Sequence, residues 1–238
     1  MKKERLDKLI ASQGLLSRND VKTMVKRGEV SVNGAIVKDS SIKVSYEDDI
    51  KIKGESLSQT EYVYIMLNKP KGVVSASEDK RDKTVVDILP DELKRKNLFP
   101  AGRLDKDTEG LLIICNDGEL CHNLLSPKKH VEKTYYVCLD KLLSMEAEEQ
   151  VCTGVYIEKD VKSMPATLER ITDDKVHLTI QEGKFHQVKK MFHAVGLEVI
   201  YLKRISMGGL KLDESLKEGD FRPLTLDEIN YLKGLTNV

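Results

Sequence analysis

Apolar residues recur at helical spacing at Leu6, Leu9 and Ile10 and again at Val21 and Val25, which predicts two short amphipathic helices. Ser17 and Asp20 stand three apart at the start of the second helix, the pattern of a capping box, and Gly28 ends it. The segment 29–37 then alternates around Asn33-Gly34, a dipeptide suited to the two positive φ angles of a tight hairpin turn. Residues 1–53 therefore read as an α-α-β-β module, and the small polar stretch 54–60 reads as a linker.

Beyond it, residues 62–67 form an apolar strand running into Asn68-Lys69-Pro70-Lys71-Gly72. Residues 75–84 are charged and small and predict a surface loop without chemistry, and Val85 to Leu89 predicts a short helix stopped by Pro90. Leu111 to Cys115 is an uninterrupted apolar run, the signature of a covered central strand. It is preceded by a polar loop bracketed by Gly102 and Gly110 and followed by Asp117-Gly118, which opens a helix carrying Leu120, Leu124 and Leu125.

Residues 134–139 alternate as a strand with Tyr135 and Val137 on one face and Tyr136 and Cys138 on the other. An acidic helix at 144–151 and strands at 155–158, 166–171 and 175–180 come next. Val188, Met191, Phe192 and Val195 fall at i, i+3, i+4 and i+7 and predict a helix whose polar face holds His186, Lys189, Lys190 and His193. A strand-rich second unit, 61–238, with helices on one side places the chain in the α+β class.

Charge changes this picture only locally. Lys and Arg total 39, as do Asp and Glu, which excludes a globally basic nucleic-acid coat protein. Residues 1–45 nevertheless hold ten basic against five acidic residues, and Arg18, Lys22 and Lys26 share one helix face. With Arg5 and Arg27 they form a candidate phosphate-tracking surface. Further candidates are Lys69 at a strand mouth, Lys129 within the basic stretch 128–133, and Lys184, His186 and Gln187 at the start of the two-faced helix. Histidines set among lysines make a poor cation site, so no metal is expected. Cys115, Cys121, Cys138 and Cys152 form no Cys-x-x-Cys pair and read as small packed thiols. With no apolar run near the roughly 18 residues of a spanning helix, no membrane association and a cytoplasmic location are expected.

The chemistry centres on Asp105, because a polar group at the mouth of a covered strand is held rigidly and partly desolvated. The tetrapeptide Arg-Leu-Asp-Lys occurs twice, at 5–8 and 103–106, and only the second copy has flanking glycines and a following strand. Read alone, Asp105 is equally a turn residue pairing with Arg103 or Lys106. Asp107 and Glu109 are competing carboxylates, and an Asp105–Asp107 pair of glycosidase type is an enzymatic alternative.

Several motifs, taken together, carry a resemblance. Two helices, a basic second helix opening on Ser-Arg, and a strand closing on Val-Asn-Gly resemble the S4 RNA-binding fold. Gly102-Arg103-Leu104-Asp105 with Thr108 and Gly110-Leu111-Leu112, then Lys133-Thr134-Tyr135, then the run from Gly183 to Lys190, resemble the RsuA branch of pseudouridine synthases. The resemblance implies an S4-like domain joined to a catalytic domain built on a mixed, mainly antiparallel sheet with flanking helices. It also implies cofactor-free isomerisation of uridine, with Asp105 as the essential aspartate, Tyr135 against the uracil ring, Lys189 as the basic partner and Arg103 as the motif arginine. The residues from Glu158 to Ala166 and the C-terminal Arg222-Pro223-Leu224-Thr225 look most like the small-subunit members. A uridine of the 516 type in 16S rRNA is then the expected target, met within a pre-ribosomal small-subunit particle by a monomer. A 23S rRNA target and a non-catalytic rRNA-binding assembly factor are the alternatives.

Overall fold

The computed structural model describes residues 3–13, 16–57, 62–94 and 97–236. It divides into two compact units, residues 1–63 with the segment 89–98, and residues 64–88 with 99–238.

The first unit contains β1 (Glu4–Arg5), α1 (Leu6–Ser12), α2 (Arg18–Lys26), β2 (Val30–Val32), β3 (Ala35–Ile36), β4 (Lys43–Val44), β5 (Ile50–Ile52), β6 (Glu55–Ser56) and α3 (Asp91–Lys94). Its core is Leu6, Leu9, Ile10, Val21, Val25, Val30, Val44 and Ile50, so both helical stripes face one cluster. Both halves of the Ser17–Asp20 capping box are made, and Asn33 (φ 50) and Gly34 (φ 81) turn the β2–β3 hairpin. The expected hairpin is half of a sheet ordered β3-β2-β5-β6, with β1 pairing β4 separately.

The stretch 54–60 is not all linker. Glu55 and Ser56 add β6 to the edge of β5, because the Lys53-Gly54 turn (φ 53 and 86) reverses the chain into another hairpin. Residues 58–60 lie outside the described residues.

The first Arg-Leu-Asp-Lys has a structural use here. Asp7 is fully buried and accepts from Arg5 Nε (3.0 Å), Arg5 Nη2 (2.9 Å) and Arg18 Nη2 (3.1 Å). Two of the basic residues expected to meet RNA are thus also ligands of a buried carboxylate, while Lys22, Lys26 and Arg27 stand exposed on or just after α2.

The second unit contains β7 (Tyr64–Lys69), β8 (Phe99–Pro100), β9 (Glu109–Cys115), α4 (Gly118–Leu125), a 3-10 turn (Pro127–Lys129), β10 (Lys133–Leu139) and α5 (Met145–Thr153). There follow β11 (Tyr156–Glu158), β12 (Val161–Lys162), β13 (Thr167–Thr172), β14 (Lys175–Ile180), α6 (Gln187–His193), β15 (Val199–Met207), β16 (Leu210–Lys211), β17 (Phe221–Pro223) and α7 (Leu226–Thr236). The large sheet runs β13-β14-β10-β15-β9-β7-β17, with β16 on β15 and β8 on β9. Within it, β9 and β15 are parallel, and its other strand pairs among the described residues are antiparallel. All seven residues of β9 are buried, which is why it reads as one apolar run.

The parallel pairing sets Gly110 opposite Arg204. A Cβ at Gly110 would lie 2.2 Å from the Arg204 carbonyl oxygen and 2.8 Å from its nitrogen, and the residue has φ +101. Only glycine satisfies both the contact and the dihedral.

Two expectations between β7 and β8 change. Val85 to Leu89 is a turn instead of a helix, because Thr84 N donates to the Asp87 carboxylate (2.8 Å) while Thr84 Oγ1 accepts from Val86 N (3.2 Å) and Asp87 N (3.1 Å). The loop 75–84 is exposed along its charged middle, yet Ser75 and Thr84 at its ends are buried.

Gly110→Ala is expected to destabilise the second unit by about 3 kcal/mol or more, through the backbone clash added to left-handed strain; urea unfolding measures it, and a loss under about 1 kcal/mol would refute the seam. In the first unit, Arg5 and then Arg18 hold Asp7 down to about 2, although burial opposes this. A carboxylate depressed in the native state adds stability above its ordinary pKa near 3.8 and loses it as pH falls toward 2. Asp7→Asn should therefore cost on the order of 2 kcal/mol at neutral pH and flatten the acid-unfolding profile below pH 4; an unchanged profile would remove Asp7 from that role.

Candidate active site

The loop between Gly102 and Glu109 is tied down from inside the unit. Lys69, at the last position of β7 and fully buried, donates Nζ to the carbonyls of Thr108 (2.8 Å), Asp105 (3.1 Å), Pro70 (3.1 Å) and Lys106 (3.4 Å). A surface phosphate contact was expected of Lys69, and its burial overturns that reading: the ammonium gathers carbonyls at the strand mouth, where the turning loop aims several of them inward. Burial lowers its pKa to about 8, opposed by the nearby Asp107, Asp105 and Glu109 charges. Ser75 adds a two-way clip, its hydroxyl donating to Leu104 O (2.9 Å) and accepting from Leu104 N (3.0 Å). Gly72 N donates to Lys106 O (2.7 Å).

On this platform Asp105 keeps a side chain 24% exposed and faces two basic side chains: Lys189 Nζ is 3.2 Å from Oδ2, and His186 Nε2 is 3.5 Å from Oδ1. Lys189 also pairs with Asp107 Oδ1 at 2.6 Å. Burial disfavours the Lys189 charge, but Asp107 and Asp105 together raise its pKa above the ordinary value, so it stays an ammonium. The same contact holds the Asp107 carboxyl below its usual range.

One pocket is lined by Arg103, Leu104, Asp105, Thr108, Tyr135, Ile180, Gly183, Lys184, His186, Gln187, Val188 and Leu202. It brings the expected Asp105, Arg103, Tyr135, Lys184, His186 and Gln187 together from positions up to 84 residues apart. Tyr135 is 8% exposed on the inward face of β10, which it shares with Val137 as alternation predicted. Arg103 is exposed at the rim. Gln187 lines the pocket but is buried, its amide engaged by Lys184 N (2.9 Å) and Glu182 Oε1 (2.7 Å), so it shapes the Gly183–His186 turn. Lys184 pairs with Glu182 and donates to Lys162 O (3.2 Å). Lys129 sits half-buried in the 3-10 turn and is not among the lining residues.

Helix α6 starts at Gln187, one residue inside the expected polar face, and Val195 falls past its end, half-buried. His186 precedes it with φ 53, in the left-handed region. Its ring stacks on Phe185 (centroids 3.8 Å apart, 21° between planes), and Lys190 Nζ lies 5.0 Å from the Phe185 centroid. Phe185, 70% exposed, was not among the predicted site residues, and an unpaired aromatic beside Gly183-Lys184 was the available signal. Thr108 was passed over as a motif letter; it is buried in the pocket wall with its hydroxyl unpartnered. Ser75 carried no sequence signal, since its partner is a backbone 29 residues away.

A sheet-based enzyme domain with a pocket carboxylate beside a lysine and a histidine and an inward tyrosine, following a small basic helix-and-hairpin module, has the makings of an RNA-modifying enzyme. Residues 63–194 match the RNA pseudouridylate synthase family and residues 4–50 the S4 domain, and the chain belongs to that family, in its RsuA type. It is 51% identical to an uncharacterized RNA pseudouridine synthase, YtzG, of Bacillus subtilis, over 96% of this chain and 98% of the relative. It is 43% identical to ribosomal small subunit pseudouridine synthase A of Escherichia coli over 94% and 98%. A solved pseudouridylate synthase superposes with a TM-score of 0.69 at 41% identity, covering 96% of this chain and 99% of that one. The protein is thus an isomerase acting on uridine in RNA, and none of its described helices is long and apolar enough to cross a membrane.

Lys69→Met is expected to leave the carbonyls of Asp105, Lys106 and Thr108 without a donor and to cost about 2–4 kcal/mol. Hydrogen exchange should quicken across residues 104–110; full protection there, with unchanged urea unfolding, would sink the anchoring role.

Proposed function

We propose that the protein converts a uridine of 16S rRNA to pseudouridine with Asp105 as its catalytic residue and without a cofactor. The observation that carries this reading is the Asp105 carboxylate, partly exposed in the pocket it shares with Tyr135 and held by Lys189 and His186. Isomerisation breaks N1–C1′, turns the base and joins C5 to C1′, with the C5 proton lost and N1 protonated. No electron or phosphoryl group changes hands, so one carboxylate and a binding pocket suffice. Asp105 acts as nucleophile toward the sugar or the ring, or as the base for a ribose proton; each role needs an ionised carboxylate, and the Lys189 ammonium stands 3.2 Å from it.

Tyr135 packs against the flipped uracil, and Arg103, exposed at the rim, fills the vacated place in the RNA stack. Lys22, Lys26 and Arg27 of the S4 domain, with Arg5 and Arg18 beside them, track phosphates elsewhere on the RNA. Similarity to the small-subunit synthase of Escherichia coli over nearly the whole chain supports a 16S target, met in a pre-ribosomal particle in the cytoplasm. The paired-carboxylate alternative is disfavoured, since Asp107 is 57% exposed and committed to Lys189.

Asp105→Asn should abolish pseudouridine formation, with a loss of roughly a thousandfold or more, while rRNA binding stays within about threefold. Product at the wild-type rate would overturn the assignment of Asp105. Mapping of pseudouridine in rRNA from cells lacking the protein fixes the target: a missing 16S modification is expected, and a missing 23S one would refute the small-subunit reading.

A further inference from the structure

A second cavity, of about 430 Å³, lies behind Tyr135 and is walled by Lys133, Arg204, Gln181, Arg103 and Lys184. Alternation along β10 puts Lys133 on the same buried face as Tyr135, and β15 sets Arg204 directly opposite Tyr135. Lys133 is 7% and Arg204 2% exposed, and among the described residues neither meets a carboxylate. Lys133 Nζ donates to Val131 O (2.5 Å), and Arg204 Nε donates to Leu111 O (2.8 Å) while its Nη2 is buried with no partner. The acid lining the cavity, Glu182, is taken by Lys184, by Gln187 Nε2 (2.7 Å) and by Met164 N (2.8 Å).

Buried cations are ordinarily paired, and two unpaired ones side by side repel. Burial, and then the Arg204 charge, depress Lys133 to about 8, which expresses that cost. A seam contact from Arg204 to Leu111 accounts for Nε but neither for the idle Nη2 nor for a lysine beside it. An anion supplies the missing partner to both.

We propose that Lys133 and Arg204 form a phosphate-binding subsite that takes a backbone phosphodiester of the RNA strand next to the nucleotide on Tyr135. The inference rests on the reading of the Asp105–Tyr135 pocket as the uridine site, with which this cavity shares Arg103, Tyr135, Gly183 and Lys184. A planar guanidinium beside an ammonium suits the tetrahedral oxygens of a phosphate. A base lying on Tyr135 brings its own phosphates to that tyrosine's two cationic neighbours.

The test compares wild-type protein, Lys133→Met and Lys133→Arg in two measurements. In thermal unfolding at matched ionic strength, inorganic phosphate in place of chloride should raise the wild-type Tm and leave Lys133→Met unmoved. In binding of 16S rRNA across a salt series, Lys133→Met should bind at least about fivefold more weakly, with a log–log salt slope shallower by about one; Lys133→Arg should restore both. The salt slope is decisive: a wild-type slope and affinity for Lys133→Met would show that Lys133 only packs and would overturn the subsite. Lys133→Gln carries the same comparison should the Met variant not fold. Asp105→Asn, run alongside, separates the two readings, because a slope change at Lys133 persists even where Asp105 proves dispensable for product.

Discussion

Two antiparallel half-sheets meet along one short parallel pairing, and they can meet there because Gly110 has no Cβ to strike the backbone of Arg204. Everything in the pocket straddles that line. The Asp105 loop enters β9 from one side, while Tyr135 rises from β10 and Lys189 from α6 on the other. Widening the seam by a methyl group would move the carboxylate away from Lys189 and His186, whose distances of 3.2 and 3.5 Å leave little slack. The glycine is therefore as much a part of the site's geometry as the residues that face the pocket.

Two lysines divide the work of holding the loop. Lys69 binds its carbonyls from within the unit, and Lys189 binds the carboxylates of Asp105 and Asp107 from the α6 side. The first fixes where the backbone runs and the second fixes the aim of the side chains. Because Lys69 spends its donors on uncharged oxygens, it leaves the Asp105 carboxylate free for Lys189, His186 and a ligand. Asp107 completes the balance by giving Lys189 a second anion, which keeps that ammonium charged.

Much of this was readable from the chain. The apolar run of β9, the alternation of β10 and the i, i+3, i+4 stripe of α6 each report a single local environment, so local pattern predicts them. The capping box and the Asn33-Gly34 hairpin are likewise local chemistry. What escaped was set by partners distant in sequence. Lys69 looked like a surface lysine at a strand end, and only the return of the chain 36 to 39 residues later gives it carbonyls to bind. Ser75 sat in a polar loop and was indistinguishable there from any solvated serine. Gly110 was visible as one bracket of a loop, but the reason for it, the Arg204 backbone, is 94 residues away. The strand β6 was hidden because two polar residues at a sheet edge carry no hydrophobic signal.

The repeated Arg-Leu-Asp-Lys shows how far a short motif determines its own chemistry. In the first unit, Asp7 is fully buried and accepts three guanidinium hydrogen bonds at 2.9 to 3.1 Å, which cover both of its oxygens and, with its burial, leave no room for a ligand. In the second, Asp105 meets an ammonium and an imidazole at longer range and keeps a quarter of its side chain open to the pocket. The arginine differs too. Arg5 folds back two residues onto its own aspartate, whereas Arg103 stands exposed at the rim. A carboxylate bound on all sides by guanidinium groups is a fixed strut, and a partly open one at a pocket keeps lone pairs for a ligand. The difference arises from the glycines and the strand around the second copy: they hold its backbone in a turn that Lys69 can anchor, so that the side chain is not needed to hold the fold together.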